Sequence, residues 1–271
     1  MGCGTYNGST KTSRMNAFDI VTGNSPFIAA AIHDGHHIRE EVREHLNLQA
    51  HERMREEDPY TDYLAEVAVN RVIGRRSRFE VDMNRPRDKA VYRKPSEAWG
   101  LRVWKKVLPA AIVERSLAIY DEFYAAVEDV LLTVTTRFGY FVVLDLHSYN
   151  HRRESDKNSC ESLNPEINIG TASLAGRWHR AKDAFMTRMQ QIEVKGHNLD
   201  VRENINFRGG EFSNWINNNF GNHGFSLAIE FRKSFMDELT GRVDIHHLNS
   251  LRSALVKSMS AIHGTVQRVA L

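Results

Sequence analysis

Cysteine is nearly absent from this sequence of 271 residues, which contains only Cys3 and Cys160. Because Cys3 lies in a polar amino-terminal stretch, we do not expect a structural disulfide. A chain without disulfides is typical of a reducing compartment. Residues 1–6 also lack the apolar core of a secretory signal peptide. We therefore predict a cytoplasmic protein.

Long apolar runs and an excess of one charge are missing as well. No stretch approaches the roughly 20 apolar residues that a transmembrane helix requires, so we expect no membrane partner. The net charge is only +2 and no Lys/Arg run is interleaved with aromatics, which argues against nucleic acid as a partner. No repeat or Pro/Gly/Ser-rich linker divides the chain. We expect one domain over residues 24–271 after a loose segment over residues 1–23, and the sequence leaves open whether the chain forms a homo-oligomer.

Helical and strand-like patterns alternate along the chain. Apolar residues at steps of three and four predict helices over residues 64–73, 113–134, 174–192 and 248–269. Short β-rich runs predict strands over residues 27–32, 79–83, 141–146, 167–171 and 225–231. This alternation is typical of an α/β fold, here a three-layer α/β/α sandwich with a mostly parallel, mixed central sheet. Ligands of such sheets bind beyond the carboxyl ends of the strands.

Three of the predicted strands end in residues that suit a metal-dependent reaction. His33 follows the first strand, His147 follows the third, and Glu230 stands near the end of the last. Two histidines and a carboxylate are typical of zinc-assisted hydrolysis, since neutral imidazole is a preferred zinc ligand. The alternatives are that the histidines are exposed loop residues, and that Glu230 forms an ion pair with Arg232 or Lys233. Strand alternation disfavours the pair with Lys233, which lies on the opposite face.

An acidic segment, residues 56–62, lies between two helical patterns. A zinc site with two histidines usually adds a carboxylate, for which Glu57 and Asp58 are the candidates. The alternative is that these acids cap a helix that Pro59 opens, because they favour its positive end. His36 is a further candidate, although it fits the start of a helix better. The third metal ligand therefore stays open between these residues.

Two cationic segments predict anion binding. Asn84 and Arg85 follow the predicted strand 79–83, and a planar guanidinium beside an amide suits a carboxylate. The alternative for an arginine is a surface salt bridge, which we favour less at a strand end. In residues 206–210, which end in Gly209-Gly210, backbone N–H groups could face an anion, or the glycines form a simple turn.

Taken in this order, the motifs resemble those of the N-formylglutamate amidohydrolase family. The resemblance runs from about residue 24 to 240 and rests on His33-x-Gly35, Asp58, Ser77-Arg78, Asp82-x-Asn84-Arg85, Asp145-x-His147-Ser148, Phe207-x-Gly209-Gly210, Glu230 and Met236-Asp237-Glu238. The family is similar in architecture to zinc carboxypeptidases and aspartoacylases, which implies a zinc-exopeptidase-like fold. In the carboxypeptidases a glutamate ligand follows the first histidine by three residues. Because His36 stands at that position, the resemblance favours the acidic segment for the third ligand.

The resemblance also implies a set of roles for the residues in these motifs. One zinc ion is expected, with cobalt or manganese as other metals that such ligands accept. The implied roles are metal binding by His33, Glu57 or Asp58, and His147; proton transfer by Glu230; oxyanion or carboxylate binding by Arg78; α-carboxylate binding by Asn84 and Arg85; and binding of a second carboxylate by Arg208 or Arg152.

The implied substrate is a small anionic N-acyl amino acid, first of all N-formyl-L-glutamate, which would be hydrolysed to formate and glutamate in histidine degradation. One alternative is a zinc carboxypeptidase or an aspartoacylase-like deacylase, which differs only in what the pocket accepts. The other alternative is a non-catalytic protein of the same fold that binds acidic small molecules. The two histidines, the nearby acids and Glu230 argue against this second alternative, since a binding protein has no use for a catalytic base.

Overall fold

The computed structural model describes residues 16–152 and 163–270, with the side chains up to residue 266. Cys3 and Cys160 lie outside these ranges, so the structure says nothing about their thiols. No helix within the described ranges is both long and apolar enough to cross a membrane.

Strands and helices alternate along the described chain. The strands are β1 (Phe18–Val21), β2 (Phe27–Ala31), β3 (Asn70–Gly74), β4 (Phe141–Tyr149), β5 (Ile167–Gly170), β6 (Glu193–Val194), β7 (His197–Asn198), β8 (Val201–Glu203) and β9 (Gly224–Arg232). The α-helices are α1 (Glu40–Arg43), α2 (Ala50–Glu56), α3 (Thr61–Ala65), α4 (Ala110–Phe138), α5 (His179–Gln190), α6 (Glu211–Phe220) and α7 (Ile245–Ala270). Short 3₁₀ helices cover Arg87–Lys89, Pro95–Glu97, Gly176–Trp178 and Lys233–Phe235.

Seven of the described strands form one sheet in the order β1-β3-β2-β4-β9-β5-β8. Strands β3, β2, β4 and β9 run parallel, whereas β1 is antiparallel to β3 and the parallel pair β5 and β8 is antiparallel to β9. The sheet is therefore mixed and mostly parallel, as the sequence predicted. The register sets His147 opposite Glu230 on β4 and β9, so both side chains lie near the carboxyl ends of central strands.

Helices cover both faces of the sheet. Successive side chains of a strand point to opposite faces, and in β2 Phe27 and Ala29 join one core cluster while Ile28 joins the other. The first cluster contains apolar residues of α3, α5 and α7, and the second contains those of α4 and α6. Strands β2 and β4 are buried along their whole length, which explains their continuous apolar runs. The predicted three-layer α/β/α sandwich is confirmed.

The predicted helix over residues 64–73 is wrong beyond its first two residues. Helix α3 ends at Ala65, and β3 begins at Asn70 between β1 and β2. The apolar pairs at 64–65, 68–69 and 72–73 imitate helical spacing, but the last pair is β-branched and is buried in the sheet. Pairing with two neighbouring strands therefore outweighs the local pattern.

The predicted strand over residues 79–83 is also wrong. The carbonyl oxygen of Ser77 accepts the N–H groups of Glu80 and Val81, at 2.9 and 3.3 Å, and this closes a turn. The alternating apolar residues do not face one side of a sheet, because Phe79 packs in a separate cluster from Val81. The expectation that Asn84 and Arg85 follow a strand fails with it.

The amino-terminal segment differs from the loose stretch expected over residues 1–23. Residues 1–15 lie outside the described ranges, but β1 pairs with β3 along the edge of the sheet. The carbonyl oxygen of Ala17 accepts the N–H groups of Arg75 and Arg76, and Phe18 packs edge-on against Phe123 with ring centroids 5.4 Å apart. These contacts order the segment from about residue 17 onward.

Candidate active site

Three buried side chains converge at the carboxyl end of the parallel strands. His33, Asp58 and His147 each offer a ligand atom, and these atoms lie within 4.8 Å of one another. The Asp58 Oδ2 atom is 3.4 Å from His33 Nδ1 and 3.0 Å from His147 Nδ1. Two imidazole nitrogens and one carboxylate oxygen form the ligand set of several catalytic zinc sites. This group could therefore hold a metal ion.

The fold brings the three residues from distant parts of the chain. His33 follows β2, His147 lies in β4 and Asp58 lies in the loop between α2 and α3. That loop is tied to the segment just after β2 because the Asp58 N–H donates to the His33 carbonyl oxygen at 3.0 Å. The hydroxyl of Thr61 donates to the Asp58 carbonyl oxygen at 2.7 Å, which fixes the start of α3. The backbone around the carboxylate is thus held on both sides.

A second pair of carboxylates lies beside the two imidazoles. His33 Nε2 is 2.7 Å from Asp82 Oδ1, and His147 Nε2 is 2.9 Å from Asp145 Oδ1. The hydrogen bond to Asp82 places the ring proton of His33 on Nε2 and leaves its Nδ1 free to bind a metal, whereas Asp145 Oδ1 lies near His147 Nε2 without a hydrogen-bond partner among the described residues. Among the described residues, His33 Nδ1 is a buried nitrogen without a hydrogen-bond partner. A buried polar atom of this kind needs an explanation, and a metal ion bound there provides one.

The electrostatics of the group also fit a cation. Burial alone would raise the pKa of Asp58, but the hydrogen bond with His147 and the charge of the nearby His33 lower it below its ordinary value. Burial alone would lower the pKa of His147, but Asp145 and Asp58 raise it well above its ordinary value. Three buried carboxylates therefore surround two imidazoles and favour positive charge between them.

Glu57 and Asp58, the two acids considered as the third metal ligand, point in different directions. Glu57 lies outside the His33–Asp58–His147 group: its carboxylate accepts a hydrogen bond from the Ser77 hydroxyl and pairs with Arg53 at 3.2 Å. His36 is exposed and also lies outside the group. Asp58 is the acid that faces both histidines.

A cavity of about 520 Å³ opens beside the three residues. Its lining includes five residues of the predicted site besides the metal-binding group, namely Arg78, Asn84, Arg85, Arg208 and Glu230. Burial raises the pKa of Glu230 to about 7, and the raising effect of Asp58 adds to it while His147 opposes it. A carboxyl group with a pKa near neutrality suits proton transfer at neutral pH.

Arg78 is held rigidly at the wall of the cavity. Its guanidinium donates to Asp82 Oδ2 at 3.0 Å and to the Glu56 carbonyl oxygen at 3.2 Å. The same guanidinium lies over the Trp99 ring, 4.7 Å from the ring centroid, and Tyr92 also donates a hydrogen bond to Asp82. Asp82 therefore orients both the His33 imidazole and the Arg78 guanidinium.

The other predicted anion-binding residues differ in their surroundings. The Asn84 Oδ1 atom accepts the Phe212 N–H at 3.0 Å, so this side chain also holds the start of α6. Arg85 is 43 % exposed, with its Nε atom 3.8 Å from Asp82. Arg208 is exposed at the cavity, whereas Arg152 is not among its lining residues and lies at a separate cavity. The structure thus brings together all of the predicted cations except Arg152.

Sequence reasoning assigned no role to Asp82, Asp145, Trp99 or Lys233, although the first two stand in the motifs that carried the resemblance. Asp82 was placed in a strand that does not exist, and Lys233 was considered only as an ion-pair partner of Glu230. The sequence does not indicate that Lys233 is buried, so its possible role could be recognised only from the structure.

The model of the N-formylglutamate amidohydrolase family matches residues 25–236 of the chain. The chain belongs to this family. An N-formylglutamate amidohydrolase from Ralstonia eutropha JMP134 superposes with a TM-score of 0.74 at 16% identity, covering 94% of this chain and 100% of that one. A gene product from Agrobacterium tumefaciens superposes with a TM-score of 0.67 at 18% identity, covering 93% and 97%. At these identities the two structures support the fold alone.

Two further comparisons add nothing to this assignment. A metallo-carboxypeptidase from Burkholderia cenocepacia has a TM-score of 0.35 at 16% identity, covering 89% of this chain and 57% of that one, which is too low to support a conclusion. No curated protein matches the chain.

Proposed function

We propose that the chain is a zinc-dependent amidohydrolase that cleaves an N-acyl amino acid, with N-formyl-L-glutamate as the expected substrate and formate and glutamate as products. The observation that carries this proposal is the buried group of His33, Asp58 and His147 at the wall of a cavity that also contains Glu230. Family membership supports the reaction class, and the cationic side chains in the cavity support an anionic substrate.

His33, Asp58 and His147 would hold the metal through Nδ1, Oδ2 and Nδ1. When bound, zinc supplies Lewis-acid chemistry, which polarises an amide carbonyl and makes water acidic enough to react near neutral pH. Asp82 would keep the Nε2 proton of His33 in place, so that its Nδ1 atom stays directed at the metal position, and the charge of Asp145 lies 2.9 Å from His147 Nε2.

Glu230 would accept a proton from the attacking water at its carboxylate and return it to the departing amine nitrogen. Arg78 would stabilise the negative charge that develops on the former carbonyl oxygen. Its guanidinium needs little reorganisation because Asp82 and the Trp99 ring already hold it. Glu230 would thus transfer protons, and Arg78 would stabilise charge.

The cations of the cavity would bind the carboxylate groups of the substrate. Arg85, with Asn84 beside it, would hold the α-carboxylate, and Arg208 extends the positive region at the cavity. Arg152 has no part in this proposal, because it lines a separate cavity. A cytoplasmic location, a role in histidine degradation and the absence of nucleic-acid or membrane partners stay predictions, and the oligomeric state stays open.

A comparative assay tests the reaction and the metal together. We expect the zinc-loaded protein to hydrolyse N-formyl-L-glutamate faster than N-acetyl-L-aspartate or a short peptide. We expect activity to be lost after chelation and to return on addition of zinc, with formate and amine release as the measurements. Faster hydrolysis of N-acetyl-L-aspartate or of the peptide would mean that the substrate belongs to that class and not to the formyl amino acids. Activity that survives complete removal of the metal would refute the metal dependence.

Replacement of Arg85 tests the α-carboxylate contact. In Arg85→Ala the KM for N-formylglutamate should rise about 10- to 100-fold, since a hydrogen bond to a charged group is lost. The KM for N-formylisoglutamine, whose α-carboxylate is an amide, should change much less. Arg87→Ala is the matched control, because Arg87 pairs with Asp121 outside the cavity. Equal losses on both substrates would make Arg85 a structural residue.

A further inference from the structure

Lys233 is a buried cation at the cavity that the proposed mechanism does not use. Its side chain is 1% exposed, and the residue begins the 3₁₀ turn that follows β9. The ammonium donates to the carbonyl oxygens of Arg55 and Glu57, at 2.6 and 2.7 Å. Within the described ranges, no carboxylate oxygen lies within 4.0 Å of its Nζ atom. As far as the described residues go, Lys233 is therefore buried without a direct ion pair.

The other buried lysine of the described chain shows the usual arrangement. Lys182, 8% exposed, pairs with Asp183 at 2.6 Å and with Glu203 at 2.8 Å. Lysine is almost never fully buried unless it is paired, because removing an ammonium from water is costly. Burial lowers the pKa of Lys233, against the raising effect of Asp58 and other nearby acids. A charged Lys233 thus calls for an anion that no described residue provides at contact distance.

The ammonium of Lys233 has one donor left for such an anion. An ammonium has three N–H groups, and two of those of Lys233 are used by backbone carbonyls. The residue lines the same cavity as Glu230 and Asp58. Its two carbonyl acceptors, Arg55 and Glu57, lie just before Asp58 in the chain. Among the described residues, no hydrogen bond uses the third N–H of this cavity-lining ammonium.

We propose that Lys233 binds the side-chain carboxylate of the substrate and selects acidic N-acyl amino acids over neutral ones. This inference rests on the proposed function, which it makes more specific. Arg85 and Arg208 are less suited to this selection because they are exposed, and water competes for their donors. A site with a buried polar group rejects a ligand that cannot pair with it, so a buried cation discriminates more strongly than an exposed one.

The test compares two substrates that differ in the charge of the side chain. In Lys233→Met, kcat/KM for N-formyl-L-glutamate should fall about 10- to 100-fold relative to kcat/KM for N-formyl-L-methionine, with zinc content unchanged. Lys233→Gln, which keeps a donor for one backbone carbonyl but no charge, should give the same change of preference. It replaces Lys233→Met if that variant does not fold. Lys182→Met is the matched control and should leave the ratio of the two constants unchanged.

Two results would overturn the proposal. One is an unchanged substrate ratio in both Lys233 variants, and the other is an equal loss on both substrates together with loss of zinc, which would leave Lys233 only a structural role. If the wild-type protein hydrolyses neither formyl substrate, the proposed function fails, and glutarate binding measured by calorimetry then tests Lys233 by itself. A Kd for glutarate that rises at least about tenfold in Lys233→Gln supports the carboxylate contact, and an unchanged Kd refutes it.

Discussion

Glu230→Gln should lower kcat for N-formylglutamate by at least about 100-fold, the range that a positioned general base contributes. The substitution keeps the size of the side chain but removes its ability to accept a proton. Since His33, Asp58 and His147 are unchanged, zinc content should stay near that of the wild type. KM should change little, because the proposed contacts to the substrate carboxylates are made by other groups. Steady-state kinetics with elemental analysis of the same sample provide the measurement.

The control for this variant is a second buried glutamate. Glu238→Gln alters a carboxylate that lies outside the cavity and contacts His151 at 2.7 Å. It should reduce stability without a comparable loss of kcat. If Glu230→Gln turned over at the wild-type rate, proton transfer would have to be assigned to another residue of the cavity. Loss of zinc in Glu230→Gln would instead show that the carboxylate supports the metal group.

The strand-end residues could be predicted because a sheet has a simple geometry. Apolar runs mark the strands, parallel strands end at one edge, and side chains there must meet. His33, His147 and Glu230 were found in this way, and the register of β4 and β9 does set the last two side by side. The helices α4 and α7 were predictable for a related reason, since their long apolar stripes cannot be accommodated in a strand.

Residues that act from loops could not be placed in the same way. Asp82 was assigned to a strand because apolar residues alternate around it, but the carbonyl oxygen of Ser77 closes a turn there. The true orientation of Asp82, toward His33 and Arg78, depends on that turn and on contacts from far along the chain. Short-range patterns carry no information on such contacts. Lys233 was missed for the same reason, since its ammonium is bound by the carbonyl oxygens of Arg55 and Glu57, which lie far earlier in the chain.

The choice between Glu57 and Asp58 was open for a related reason. Neighbouring residues in an extended loop point in different directions, so a difference of one position decides which carboxylate reaches the histidines. Asp58 is anchored to the segment just after β2 through the His33 carbonyl oxygen, which turns its side chain toward the sheet edge. Glu57 is turned toward Ser77 and Arg53. Substitutions of Glu57 and Asp58 can therefore be compared directly, since both are buried acids and they are adjacent in the chain.

Asp58→Asn should lower zinc affinity by more than about 100-fold. Removal of a group that only contacts a metal ligand costs up to about 100-fold, and Asp58 is itself a proposed ligand. Glu57→Gln should retain zinc, because glutamine can still accept the hydrogen bond from Ser77 and the metal-binding atoms are untouched. Both substitutions are isosteric, so a difference between them reports on charge and ligation and not on packing. Competition against a chromogenic chelator measures the zinc affinity. The melting temperature gives an independent measurement: zinc should raise it in the wild type and in Glu57→Gln but not in Asp58→Asn. The opposite pattern, with zinc lost in Glu57→Gln and kept in Asp58→Asn, would mean that the loop rearranges when the metal binds and that the carboxylate ligand is Glu57.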